Sequence, residues 1–289
     1  MTTTTEPTLA VRRRLLHIRM PRSGLVGWVA ATVIVLATLV AIFAPLIAPQ
    51  DPNSSALLDS YADPSADHLL GADALGRDIL SRLIWGARPA LLGPLCVIVS
   101  ATVVGVVFAI VAAWKGGWVN TAINAVFNVL FSFPAVLLAI LAATVLGAGL
   151  LTSVAAISFA YIPYFGRIIR SEGLRQRSLP YVSALEIQGV SSWRICVGHL
   201  LPNLAPLILA QMTASFGYAM VDLAALSYLG LGAQPPAADW GQMVGTGQAG
   251  IVNGHPAESL YAGALILIVV IAFTTLGDQM VSRTGDVRE

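Results

Sequence analysis

A single carboxylate, Asp222, sits well inside one of the long apolar runs of this 289-residue sequence, and Asp278 lies near the end of another. Burying a carboxylate in hydrocarbon costs several kcal/mol unless the group is paired or functional. Two roles fit Asp222: a hydrogen bond to a neighbouring helix or subunit, or a place on a solute pathway. The supply of such acids is sparse for a proton- or ion-coupled carrier, and the two halves show no paired broken-helix repeats. His17, His68, His199 and His255 are scattered among different segments, which implies no metal site. The one lysine, Lys115, stands between Trp114 and Gly116 and so belongs to no Gly-Lys-Ser/Thr phosphate loop. No Ser/His/Asp grouping stands out, and Cys96 and Cys196 read as free thiols. These residues assign no catalytic site, no metal and no cofactor to the chain.

The elements that must position these residues follow from composition. The chain is 56% hydrophobic and 11% charged, with mean hydropathy +0.78, which marks an all-α polytopic membrane protein. Its net charge of +1 gives no basic face for nucleic acid. Apolar runs able to cross a hydrocarbon core of about 30 Å fall at residues 25–48, 90–113, 119–146, 150–170, 203–230 and 259–280, predicting six transmembrane helices. Pro134 and Pro163 fall inside these runs and predict kinks with no special role. Arg12, Arg13, Arg14, Arg19 and Arg22 precede the first run, which outlasts a signal-peptide core of about 7 to 15 residues and reads as an uncleaved first span.

Orientation follows from basic residues. With the N-terminus cytoplasmic, the inner segments hold the N-terminal arginines, Lys115, Arg167, Arg170, Arg175, Arg177, Arg194, Arg283 and Arg288, and the outer ones only Arg77, Arg82 and Arg88. The positive-inside rule therefore puts both termini in the cytoplasm. The predicted organisation is a cytoplasmic tail (1–24), a first span (25–48), an extracytoplasmic segment (49–89), a five-helix core (90–280) with a cytoplasmic loop at 171–202, and a cytoplasmic tail (281–289). Within the outer segment, Leu75, Ile79, Leu80, Leu83 and Ile84 recur at helical spacing, with Asp78 and Arg82 four apart, predicting an amphipathic helix lying on the outer surface.

Between apolar runs lies the half-polar stretch YVSALEIQGVSSWRICVGHLLPN, residues 181–203. Pro180 suits a first helical position, Tyr181, Ala184, Leu185 and Gln188 share one face, and Gly189 ends the turn. Ser191 or Ser192 then caps a second helix with Trp193, Cys196, Val197, Leu200 and Leu201 on its stripe, closed by Pro202. Arg194 and His199 lie off that stripe. Periodicity predicts a helix-turn-helix that either rests on lipid headgroups or meets another protein.

Three segments carry a resemblance. The stretch 181–203 resembles the cytoplasmic "EAA" loop of ABC importer permeases: Ser183-Ala184-Leu185 stands at the E-A-A, Gly189 follows at the family's distance, and His199-Leu200-Leu201-Pro202 ends it, with Asn203 as in the peptide-importer branch. HLLGADALGRDILSRLIWGAR (68–88) and LSYLGLGAQPPAADWGQM (226–243) are similar to signatures of the dipeptide/oligopeptide/nickel permeases, specifically their C-type subunit, and Leu276-Gly277-Asp278 matches the family's LGD. The chain departs at Ser183, where a Glu capable of an exposed salt bridge worth about 0.3 to 1 kcal/mol is lost. It departs also at Leu223, where the family has Glu, and at Ala262-Gly263, where it has Pro-Gly. The Asp-Pro that follows the family's LGD is absent too.

The resemblance implies a type I ABC importer permease (MetI-like) fold in the bacterial inner membrane, forming half of a pathway for peptides or related solutes. It implies a homologous second permease, two ABC ATPase subunits that bind ATP and Mg, and an extracytoplasmic substrate-binding protein. Tyr181, Ser183, Ala184, Leu185, Glu186, Gly189, Trp193, Arg194, His199, Leu201 and Pro202 would then couple to the ATPase. Asp222, Phe159, Tyr161 and Tyr164 are the candidate pathway or subunit contacts, and segments 49–89 and 231–258 the candidate outer contact surfaces. An ion-driven carrier acting alone and a non-transporting membrane scaffold are the alternatives.

Overall fold

The computed structural model describes residues 24–286. The N-terminal arginines and Arg288, on which much of the orientation argument rests, lie outside them. The described chain is helical: α1 (Leu25–Ile47), a 3-10 turn (Leu57–Asp59), α2 (Ile79–Lys115), α3 (Gly117–Phe131), α4 (Ala135–Leu146), α5 (Leu150–Arg177), α6 (Pro180–Ile187), α7 (Ser192–Ile195), a π-helical turn (Cys196–Leu200), α8 (Leu201–Tyr228), α9 (Trp240–Thr246), α10 (Gln248–Val252) and α11 (Ala257–Asp286). Five helical stretches are long and apolar enough to cross a membrane, or six if α3 and α4, bent by 81° against each other, count as one broken span. Residues 48–78 and 229–256 build a polar cap at one end of the bundle, and the 178–191 connection lies at the other.

Small residues set the helix packing, as they must where lipid supplies no hydrophobic drive between helices. A Cβ on Gly105 of α2 would lie 2.9 Å from the Ile162 carbonyl of α5, and one on Gly166 of α5 would lie 2.3 Å from the Phe127 ring of α3. Gly277, from the LGD triplet, lets α11 close on α8, where an added Cβ would meet the Ala214 backbone at 2.3 Å. Phe216 and Phe273 stack across the same pair at 3.8 Å. Pro45 inside α1 removes the amide that would serve the Ala41 carbonyl. Arg88 of α2 replaces it, its Nε donating to that oxygen at 2.8 Å while its guanidinium covers Trp85.

Four expectations change. Residues 79–88 are not an amphipathic helix on the outer surface. They are the first turns of α2, so the boundary placed at residue 89 falls inside a continuous helix. The reason is electrostatic. Asp78 caps α2, accepting from the Ser81 amide at 2.8 Å and the Ser81 hydroxyl at 2.7 Å, and pairs with His68 at 3.3 Å. Asp78 is therefore not the partner of Arg82, which is 1% exposed, faces Asp73 at 3.6 Å and donates to the Pro52 carbonyl at 3.1 Å. Second, the run at 119–146 breaks at Ser132–Pro134, so Pro134 redirects the chain instead of gently kinking a span. Third, α5 continues past residue 170 to Arg177, whose guanidinium donates to the Ala113 and Trp114 carbonyls and caps the end of α2. Fourth, the second helix of the 181–203 stretch does not stop at Pro202: it passes through the π-helical turn into α8, of which Pro202 is the second residue.

The cap explains the two long signatures, because they interlock. Trp240 is buried, donates Nε1–H to the Leu83 carbonyl at 2.7 Å and packs so closely on Gly86 that a Cβ there would lie 2.7 Å from its ring. Gly76, with φ +70°, passes so near Ala56 that a Cβ would lie 1.8 Å from its carbonyl oxygen. Asp73 accepts from the Leu75 and Arg77 amides and holds the Arg77 Nε at 2.6 Å, closing the Gly-Arg-Asp loop over α2. Asp239 caps α9, accepting from the Gln242 amide at 2.9 Å; burial pushes its carboxyl above the usual carboxylate range, and that hydrogen bond opposes the shift.

Candidate functional site

Two places on the bundle have functional geometry. The first is the connection at the end opposite the cap. At eight residues, α6 is too short to hold a helix on its own. Three anchors fix it. Val182 is buried, and the Tyr181 hydroxyl donates to Gln176 Oε1 on α5 at 3.1 Å. That hydroxyl also accepts from Asn203 Nδ2 on α8 at 3.3 Å. Gln176 is itself held by Glu172, which binds Arg175 with two bonds at 2.9 and 2.5 Å. Gly189 then reverses the chain with φ +75°, its amide donating to the Glu186 carbonyl and the Val190 amide to Leu185, a conformation that costs other L-residues about 1 to 2 kcal/mol.

The faces differ from those expected. Ala184 and Gln188 are exposed, Tyr181 and Leu185 only half-buried, because α6 is oriented by one valine and one hydroxyl and not by a wide stripe. In the second helix Ile195, Cys196 and Leu200 are buried and Leu201 half-buried, whereas Val197 is exposed and Trp193 is 77% exposed. Ser191 precedes α7 without a side-chain cap. The outward surface therefore carries Ser183, Ala184, Glu186, Ile187, Gly189, Trp193, Arg194, His199 and Pro202. Ile187, which periodicity did not single out, is 87% exposed beside the Gly189 turn. Two large apolar side chains held on a braced hairpin, with a carboxylate and a guanidinium nearby, are the composition of a protein contact.

The second place is a cavity of about 480 Å³ lined by Phe131, Phe133, Ala135, Ala160, Tyr161, Tyr164, Ser215, Tyr218 and Asp222. The break before Pro134 builds one wall by presenting Phe131, Phe133 and Ala135 from the two arms of α3 and α4. The structure brings Asp222, Tyr161 and Tyr164 together: Tyr161 donates to Asp222 Oδ2 at 2.8 Å and Tyr164 to Gln211 Oε1 at 3.1 Å, linking α5 to α8. Phe159 is not part of this group; it lies exposed on another face of α5. Among the candidates on the sequence, Ser215 was missed, since a serine in an apolar run carries no periodic signal.

Basic side chains distribute unevenly between the ends. Lys115, Arg170, Arg175, Arg177 and Arg194 collect at the end with the α6 hairpin, and Arg77, Arg82 and Arg88 at the cap end. Arg77 and Arg82 there are buried.

Comparison with known proteins agrees with this architecture. Residues 105–284 match the family described as binding-protein-dependent transport system inner membrane component, and residues 26–68 match the N-terminal TM domain of oligopeptide transport permease C. The dipeptide transport system permease protein DppC of Alkalihalophilus pseudofirmus is 33% identical over 92% of this chain and 86% of its own length. The di/tripeptide transport system permease protein DppC of Pseudomonas aeruginosa is 36% identical over 84% of this chain and 82% of its own. A glutathione transport system permease protein, GsiD of Escherichia coli, is 34% identical over 86% and 82%. With the first of these models matching 180 of the 289 residues, from within α2 to within α11, the chain belongs to the family of binding-protein-dependent transport system inner membrane components.

Proposed function

We propose that this chain is one of two permease subunits of an ATP-driven peptide importer in a bacterial inner membrane, contributing half of the translocation pathway. The observation that carries this reading is the braced α6 hairpin: it presents Ile187 and Trp193 outward while hydrogen bonds through Tyr181 bind it to α5 and α8, two of the helices that line the cavity. A push on that hairpin is transmitted to the cavity wall because α7 is continuous with α8. The relatives' peptide substrates support the substrate class.

In this reading two ATPase subunits, which bind ATP and Mg, dock on the α6 hairpin from the cytoplasm, where both termini lie. A homologous permease completes the pathway. The cap at 48–78 and 229–256 faces a substrate-binding protein, with Leu57, Leu58, Leu69 and Leu75 exposed on it. The test is co-purification of the assembled complex carrying Ile187→Asp and Trp193→Asp together. The expected result is a chain that accumulates in the membrane but no longer retains the ATPase subunits. Retained subunits with ATP-coupled uptake would overturn the docking assignment.

A further inference from the structure

The cavity is chemically one-sided. Five aromatic rings, from Phe131, Phe133, Tyr161, Tyr164 and Tyr218, face a single carboxylate, Asp222. Among the described residues no Lys or Arg forms an ion pair with that carboxylate; its bond is to the neutral Tyr161 hydroxyl. Arg167 lies over the Phe131 ring, 5.1 Å from its centroid, and makes no ion pair with Asp222. A carboxylate left without a counter-ion in an apolar setting attracts a cation, and aromatic faces add to that attraction through their quadrupoles.

We infer that the cavity is a transit site for the terminal ammonium group of a short peptide, with Asp222 accepting its N–H bonds and the aromatic rings enclosing its charge. The assignment rests on the importer reading and deepens it. Selectivity at this point is for a protonated amine, because the one charge on the lining is the Asp222 carboxylate. Tyr161 is a positioning residue, holding the Asp222 carboxylate at 2.8 Å. The volume of about 480 Å³ accommodates the end of a peptide, and the opening leaves the remainder in the pathway.

The experiment reads the cavity without requiring transport. Ala160, on the lining, is changed to Cys in a chain carrying Cys96→Ser and Cys196→Ala, within the assembled complex in proteoliposomes, and its labelling by a maleimide is timed with Ala-Ala or N-acetyl-Ala-Ala present. The expected result is slowed labelling with Ala-Ala and unchanged labelling with the acetylated peptide, which lacks the cation. Asp222→Asn should weaken protection by Ala-Ala roughly tenfold or more, and Asp222→Glu should retain most of it. Equal protection by both peptides, or protection by Ala-Ala that Asp222→Asn leaves intact, overturns the inference. If Asp222→Asn fails to assemble, the comparison of the two peptides on the Ala160→Cys complex decides alone. ATP-driven uptake is measured on the same vesicles: protection without uptake counts against the importer reading and leaves the amine site standing, and uptake without amine-specific protection does the reverse.

Discussion

Replacing Tyr181 with Phe removes one oxygen and leaves the ring, so it isolates the tether between α6 and the bundle. That oxygen makes two neutral hydrogen bonds, at 3.1 Å to Gln176 and 3.3 Å to Asn203. Each is worth about 0.5 to 1.5 kcal/mol net, and both are long and partly solvated, which puts their sum near 1 kcal/mol. The remaining anchor is Val182, whose full burial contributes about 1.5 to 3 kcal/mol. An eight-residue helix has little stability of its own, so the loss passes almost entirely into undocking. At 1.4 kcal/mol per factor of ten, the undocked population of α6 rises roughly fivefold. Hydrogen exchange of the 184–190 amides in the assembled complex should accelerate by about that factor, while the amides of α5 and α8 exchange as before. The number of solute molecules imported per ATP should fall, because a looser hairpin yields before the cavity wall moves. Unchanged exchange in 184–190 would refute the tether, and accelerated exchange with an unchanged transport ratio would refute its role in coupling.

Two further substitutions probe the scaffold. Gly76→Ala puts a Cβ 1.8 Å from the Ala56 carbonyl at a positive φ and should destabilise the cap by about 2 to 5 kcal/mol, read as lost membrane accumulation. Gly117→Ala, also at positive φ but with open space around it, should cost only about 1 to 2 kcal/mol; equal losses would discard the close-approach explanation. Arg88→Met strands the Ala41 carbonyl in apolar surroundings and should cost about 1 to 3 kcal/mol in thermal unfolding of the purified protein. Pro45→Ala in the same chain restores a helical donor and should recover most of that loss; additive losses would show that Arg88 serves α1 in some other way.

The family signatures were legible as strings, and the structure gives them causes that strings do not contain. In the 68–88 segment, Gly76 is required by the Ala56 backbone, Asp78 by the amide of Ser81, and Gly86 by a tryptophan more than a hundred and fifty residues away. Periodicity misread this segment because Ile79 and Leu83 face a core assembled from α1, α8 and α11 together with Trp240 and Met243 of α9. Ser183, one of the positions where the chain departs from the family, is solvent-exposed on α6, so the packing of the hairpin does not depend on a Glu there.

Hydropathy alone determined that the chain is a bundle of membrane-crossing helices and where most of them lie, since apolar length and the bilayer's thickness are both local, one-dimensional quantities. Sequence spacing also placed Pro180, Gly189 and the helix between them. Tertiary structure decided the rest. It joined α7 to α8, bent α3 against α4, and turned Tyr161 of one helix onto Asp222 of another, sixty-one residues on. The side chains around that carboxylate come from four helices, and their meeting depends on glycine contacts and a break at proline whose effects appear only when the helices pack.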